Sequence, residues 1–141
     1  MLKNVSPVIS PDLVKILCEM GHGDEIVLAD SNFPAKSTSR GHKFVRADGI
    51  GVLDLLDAIL PLFPLDTYDK ENFLVMQVVD GDPVPEIWSD FNKRLKTYEP
   101  NCNITYIERF AYYERAKKAY AVVATGETAP YANVILKKGI L

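Results

Sequence analysis

Histidine and cysteine are scarce in this chain of 141 residues, which contains two of each. Cys18 and Cys102 form no C-x-x-C pair and are too few for a disulfide scaffold, so they read as reduced thiols of a cytosolic protein, with a single bridge between them as the alternative. Neither sign of charge dominates. Sixteen Lys and Arg against nineteen Asp and Glu leave a net charge of −3, which gives no electrostatic reason to expect nucleic acid or an anionic membrane as partner. Long apolar runs are also missing. The longest, residues 58–65, is broken by Pro61 and Pro64 and falls far short of the roughly 20 residues that span a bilayer. Residues 1–11 carry one Lys and two prolines but no apolar h-region, so no secretory or transit signal is expected. There is no Gly-rich phosphate loop, serine-nucleophile elbow or dinucleotide fingerprint, and no His/Cys cluster of the kind that holds a transition metal. These absences predict a cytoplasmic chain with no membrane or nucleic-acid partner, no metal and no cofactor.

What is present is average globular chemistry, 48% apolar and 25% charged. A chain this long buries roughly two-thirds of its unfolded surface and can build a core without disulfides. Helical and strand patterns alternate along it. Ser10-Pro11 is an N-cap and first-turn pair ahead of Leu13, Val14, Ile16, Leu17 and Met20, and Gly21 can stop that helix with a positive φ. Residues 25–29 read as a buried strand and 31–42 as a polar surface loop. Asp48 can cap a second helix, which Pro61 ends. Residues 73–79 read as a strand, and Ile87, Trp88, Phe91 and Leu95 recur at helical spacing. A short strand over 104–107, a helix over 109–118, and strands over 120–125 and 132–137 joined by the turn 126–130 complete the pattern. The whole predicts one α/β domain over residues 1–141. Residues 122–124 and 134–136 are apolar at consecutive positions, as in strands covered on both faces, a pattern that suggests assembly. The apolar end, Ile140-Leu141, suits either a subunit interface or a tail tucked into its own domain.

Few residues can carry acid-base chemistry. His42, beside Arg40 and Lys43 in the polar loop, reads as solvent-exposed and functionless. His22 lies between two glycines that let backbone approach a ligand, and an imidazole both donates and accepts protons near neutral pH. Its plainer role is a hydrogen-bonded turn residue. With Asp24 it falls short of a metal site. Asp30 ends the first strand, where α/β sheets commonly bind ligands; it suits sugar hydroxyls or the capping of the next turn. Tyr112 and Tyr113 are either amphipathic core residues or phenols able to pass a proton. In the turn before the last strand, Tyr131 and Asn133 alternate with Ala132 and should point the same way, an aromatic face beside an amide that suits a neutral polyol. The lysines at 117, 118, 137 and 138 read as solvated ends.

Several segments carry a family resemblance. They are Gly21-His22-Gly23-Asp24-Glu25-Ile26-Val27-Leu28-Ala29-Asp30, then Asn32-Phe33-Pro34, Arg46-Ala47-Asp48-Gly49, Pro64-Leu65-Asp66-Thr67-Tyr68, 109–118 and 125–139. Together they closely resemble the fucose mutarotase and ribose pyranase family, over nearly the whole chain. Gly-His-Gly-Asp and Ser-Asn-Phe-Pro resemble its L-fucose branch. The resemblance implies an α/β subunit in a ring-shaped oligomer, a homo-octamer or homo-decamer, with sites between neighbouring subunits. It implies cofactor-free interconversion of the anomers of a free sugar. By motif, His22 is the acid-base group and Tyr113 the second proton carrier. Asp30, Asp66, Met76, Arg109, Tyr131, Ala132 and Asn133 fall on substrate-binding positions. Segments 36–43 and 83–103 share no wording with the family.

The implied chemistry agrees with the residues. Anomer exchange opens a hemiacetal: the anomeric hydroxyl loses a proton, the ring oxygen gains one, and the aldehyde rotates and recloses on its other face. Two groups that shuttle protons suffice, each worth typically 10²–10⁴-fold. An L-fucose mutarotase is the leading expectation. A D-ribose pyranase and a non-catalytic monosaccharide-binding protein are the alternatives.

Overall fold

The computed structural model describes residues 1–141. Eleven elements follow in the order α1 (Pro11–Glu19), β1 (Glu25–Ala29), α2 (Ala35–Thr38), β2 (Lys43–Ala47), α3 (Val52–Ile59), β3 (Phe73–Met76), α4 (Ile87–Tyr98), β4 (Thr105–Ile107), α5 (Arg109–Ala116), β5 (Ala121–Thr125) and β6 (Val134–Lys137). The strands form one sheet in the order β2-β5-β1-β6-β3-β4. β1 lies parallel to β5 and β5 to β2, β3 lies parallel to β4, and β6 runs against both β1 and β3. Five strands therefore share one direction. Their carboxyl ends, with the start of β6, make an upper edge; their amino ends, with the end of β6, make a lower edge.

Alternate residues of β1 serve two cores. Ile26 and Leu28 pack with Leu13, Leu55 and Phe73 on one face, while Val27 and Ala29 pack with Leu74, Tyr112 and Phe33 on the other. Val122, Val123, Val134, Ile135 and Leu136 are fully buried by these two layers. The consecutive apolar strands are thus covered by the subunit's own helices, and their burial is no sign of assembly. The apolar end behaves differently: Ile140 and Leu141 are exposed rather than tucked into the domain.

Local chemistry explains most of the elements. Ser10 caps α1 by accepting from the Leu13 amide (3.2 Å), with Pro11 in the first turn. Gly21 does not take a positive φ; Met20 leaves the helix extended, and Gly23 carries the left-handed turn at φ 85°. The predicted loop 31–42 contains the short helix α2. β2 was not expected, because Lys43 and Arg46 interrupt its apolar pattern. It is an edge strand, where outward charges block pairing with another chain. Asp48 does not cap α3. Arg46 holds it (2.6 and 3.0 Å), and the Val52 amide donates instead to the distant Glu127 carboxylate (3.3 Å). β3 stops at Met76 rather than running to 79.

Candidate active site

At the lower edge, the turn before β1 presents His22. Its backbone is pinned twice: the Gly21 amide donates to Asp24 Oδ2 (2.8 Å) and the Gly23 amide to the Lys138 carbonyl (2.8 Å). Close packing brings Asp66 alongside. Gly139 lies so near Leu65 that a Cβ would sit 2.5 Å from the Leu65 carbonyl oxygen, and the Asp66 amide donates to the Lys137 carbonyl (3.0 Å). His22 Nε2 then lies 3.2 Å from Asp66 Oδ1, which also accepts from the Tyr68 amide (2.9 Å). The carboxylate is buried, 4% exposed at its side chain, whereas the imidazole is 46% exposed. Burial works to raise the Asp66 carboxyl, but the Tyr68 amide, His22 and Lys137 outweigh it and hold it below the usual carboxylate range. With Nε2 donating to Asp66, Nδ1 is the nitrogen free to exchange a proton with a ligand. The exposed Tyr68 ring flanks the imidazole at 5.6 Å.

The upper edge holds the remaining candidates. Asp30 Oδ1 accepts from the Asn32 (3.0 Å) and Phe33 (2.9 Å) amides, while Oδ2 accepts from Asn133 Nδ2 (2.9 Å). Asn133 Oδ1 in turn accepts from the Asp30 amide (2.8 Å). Burial pushes the Asp30 carboxyl up, and these donors oppose the rise. Asp30 therefore both caps its own turn and ties it to the turn before β6. Tyr131 and Asn133 do not point the same way. Tyr131 is left-handed at φ 53°, a conformation that costs roughly 1–3 kcal/mol for a non-glycine residue. Its hydroxyl bonds Asp82, while Asn133 turns inward to Asp30.

Arg109 opens α5, and its Nε is buried without a partner. One helical turn on, Tyr113 stacks on Phe33 (5.4 Å, 23°), which sets the phenol beside the Asp30 turn. Met76 and Ala132 reach the same edge but are buried in opposite apolar layers. Asp30 lines a cleft of about 420 Å³ with Phe33, Phe44, Arg46 and Thr125. Arg109 lines another of about 420 Å³ with Gln77, Asp80, Tyr106 and Glu108. Tyr113 lines a third groove with Pro34, Arg40 and Phe110.

The candidates thus divide into two groups. His22 and Asp66 stand at the lower edge; Asp30, Met76, Arg109, Tyr113, Tyr131, Ala132 and Asn133 stand at the upper. β1, which separates His22 from Asp30, spans roughly 16 Å at ~3.3 Å per residue. His42 is exposed. No three His, Cys, Asp or Glu side chains gather into a metal-ligating group. Sequence reasoning missed Phe33 as the platform for Tyr113, Tyr68 beside His22, and Trp88 and Asp82 on Tyr131. The Tyr131 contacts cross 43 and 49 residues of chain, so no local pattern announces them.

The whole chain has close relatives. An L-fucose mutarotase of Histophilus somni (strain 2336) is 52% identical over 142 residues, covering 99% of this chain and 97% of that protein. A fucose mutarotase of Danio rerio is also 52% identical, covering 100% of this chain and 95% of its own length. A crystal structure of the fucose mutarotase from Streptococcus pneumoniae in complex with L-fucose superposes with a TM-score of 0.93 at 50% identity, covering 99% of both chains. The family model of the RbsD / FucU transport protein family matches residues 3–141, and the chain belongs to that family.

Proposed function

We propose that residues 1–141 form a sugar-mutarotase domain that interconverts the α and β anomers of L-fucose without a cofactor. The names of the relatives, each similar over almost its whole length, support the substrate and the reaction. In the forward direction one proton carrier removes the anomeric hydroxyl proton while the other protonates the ring oxygen. The bond between the anomeric carbon and the ring oxygen breaks, the free aldehyde rotates, and the same groups return their protons as the ring closes on the opposite face. His22, held by Asp66, and Tyr113, held by Phe33, are the two carriers. Asp30, Arg109, Tyr131 and Asn133 hold the sugar hydroxyls, with Met76 and Ala132 backing the site from the two apolar layers.

One observation carries this reading and shapes it. His22 precedes β1 at the lower edge, whereas Tyr113 stacks on Phe33 of the turn that follows β1, and the strand between those turns is longer than a monosaccharide. A site using both takes His22 from one subunit and Tyr113 from the next. A contact between unlike edges is head-to-tail, and such contacts close into rings when the rotation between neighbours closes. We therefore read the active form as a cytoplasmic ring of eight or ten copies. Exposed apolar groups at both edges, Tyr68 below and Phe110 above, support such a contact. No helix is long and apolar enough to cross a membrane.

Saturation-transfer NMR on L-fucose and D-ribose, with light scattering on the same sample, tests the proposal. Catalysed anomer exchange of fucose by a particle several times 15.8 kDa is expected. Exchange of ribose alone makes the protein a pyranase, binding without exchange makes it a sugar-binding protein, and a one-chain mass refutes the shared site.

A further inference from the structure

Trp88 is the only tryptophan, and it lies in the segment 83–103 that shares no wording with the family resemblance. From the first turn of α4 its indole Nε1–H donates to the Tyr131 carbonyl at 2.9 Å. The ring is 7% exposed and tilts against Tyr106, with centroids 4.6 Å apart. Tyr131 is one of only two non-glycine residues with positive φ, so its backbone needs outside restraint to keep that conformation. Asp82 holds its hydroxyl, and Asn133 is locked to Asp30 two residues on. The turn before β6 is therefore gripped from α4, from the 80–82 loop and from β1.

We infer that Trp88 is a positioning residue for sugar binding: its N–H fixes the Tyr131 carbonyl and so sets the presentation of Tyr131, Ala132 and Asn133 to the substrate. The inference rests on the proposed use of that turn as a sugar site. Trp88 itself need not touch the sugar. It acts on how well the turn is preorganised, so its loss falls on affinity more than on the proton transfers carried by His22 and Tyr113.

Trp88→Phe deletes the N–H while keeping an aromatic ring against Tyr106. In anomer-exchange kinetics on L-fucose it should raise KM roughly 5- to 10-fold, the scale of one lost hydrogen bond, and leave kcat within about twofold. Asn133→Ala, measured beside it, reports on the site itself. A raised KM in Asn133→Ala with an unchanged KM in Trp88→Phe overturns the positioning role and leaves the site intact. Unchanged KM in both removes the sugar from this turn altogether. A second readout needs no variant. The single indole N–H gives one cross-peak in the nitrogen–proton NMR spectrum of the native protein. Titration with L-fucose should shift it and slow its hydrogen exchange, with the midpoint at the concentration that half-saturates anomer exchange. A cross-peak that stays fixed at saturating fucose overturns the inference even if Trp88→Phe fails to fold.

Discussion

His22 and Asp30 flank the same five-residue strand, one before its first residue and the other beyond its last. Each is anchored by a different set of neighbours. His22 leans on Asp66 and the Lys138 backbone, Asp30 on Asn133 and two amides of its own turn. The rigid sheet between them keeps the two groups apart within one chain. Any chemistry that needs both must be shared between chains, and this separation organises the expectations below.

The proton carriers come first. His22→Ala and Tyr113→Phe should each slow exchange of saturating L-fucose by roughly 10²–10⁴-fold. The double variant should lose much less than the product of the two, because both groups serve one concerted step. His42→Ala should match the parent. Near-normal exchange in His22→Ala would reduce that histidine to a turn residue.

Asp30→Ala should damage binding and fold together. It strips the carboxylate from the Asn32 amide and from Asn133 Nδ2 and leaves the Phe33 amide with the Asp30 carbonyl alone, and unpaired buried donors cost on the order of 1–3 kcal/mol each. Urea unfolding should show a loss of roughly 3 kcal/mol, and isothermal titration should show weakened fucose binding. A variant with parental stability would mean that the two turns are held by something else.

Tyr112 makes the opposite case. It is fully buried under α5, and its hydroxyl has no partner. Burial pushes the phenol well above its ordinary value, with the charges of Asp30 and Glu25 acting in the same direction, and full enclosure keeps its hydroxyl from any ligand. Tyr112→Phe should leave exchange unchanged and leave stability equal or up to ~1 kcal/mol higher. A loss of exchange would make Tyr112, rather than Tyr113, the working phenol.

Acid stability separates the two edges. Asp66 is held below its ordinary value near 3.8, so its ionised form stabilises the fold above that value, and the contribution disappears as pH falls through the lower folded value. Asp30 is raised by burial, so its relative contribution is present below the ordinary value and is lost as pH rises through the folded one. Asp66→Asn should therefore be less stable than the parent at neutral pH, with the gap closing in acid below the ordinary value. Urea unfolding across that range reads the difference directly; a gap independent of pH would contradict it.

Much of this was legible in the sequence where the signal is local. Ser10-Pro11 announces α1, the apolar run before Asp30 announces β1, and the alternation of patterns yields the α/β class. Long-range effects were not legible. Lys43 and Arg46 disguise β2 because an edge strand needs outward charge. The α3 cap comes from Glu127, 75 residues away, rather than from the nearby Asp48. The doubly apolar strands point to coverage on both faces, but the chain's own helices supply it. The motifs placed His22 and Asp30 in one site. The resemblance implied a site between neighbouring subunits; the strand between the two residues, set in a sheet with a defined direction, supplies a physical reason for such sharing.

The most direct test of the shared site is complementation. His22→Ala and Tyr113→Phe chains should be co-expressed at equal levels and their mixed assemblies assayed for L-fucose exchange. A site that draws His22 from one chain and Tyr113 from the next is intact wherever a Tyr113→Phe chain supplies the histidine and a His22→Ala chain the tyrosine. Random head-to-tail assembly then restores roughly a quarter of parental exchange from two inactive partners. Mixed assemblies no more active than the separate variants would contradict the account, because they would place both proton carriers of each site within a single chain.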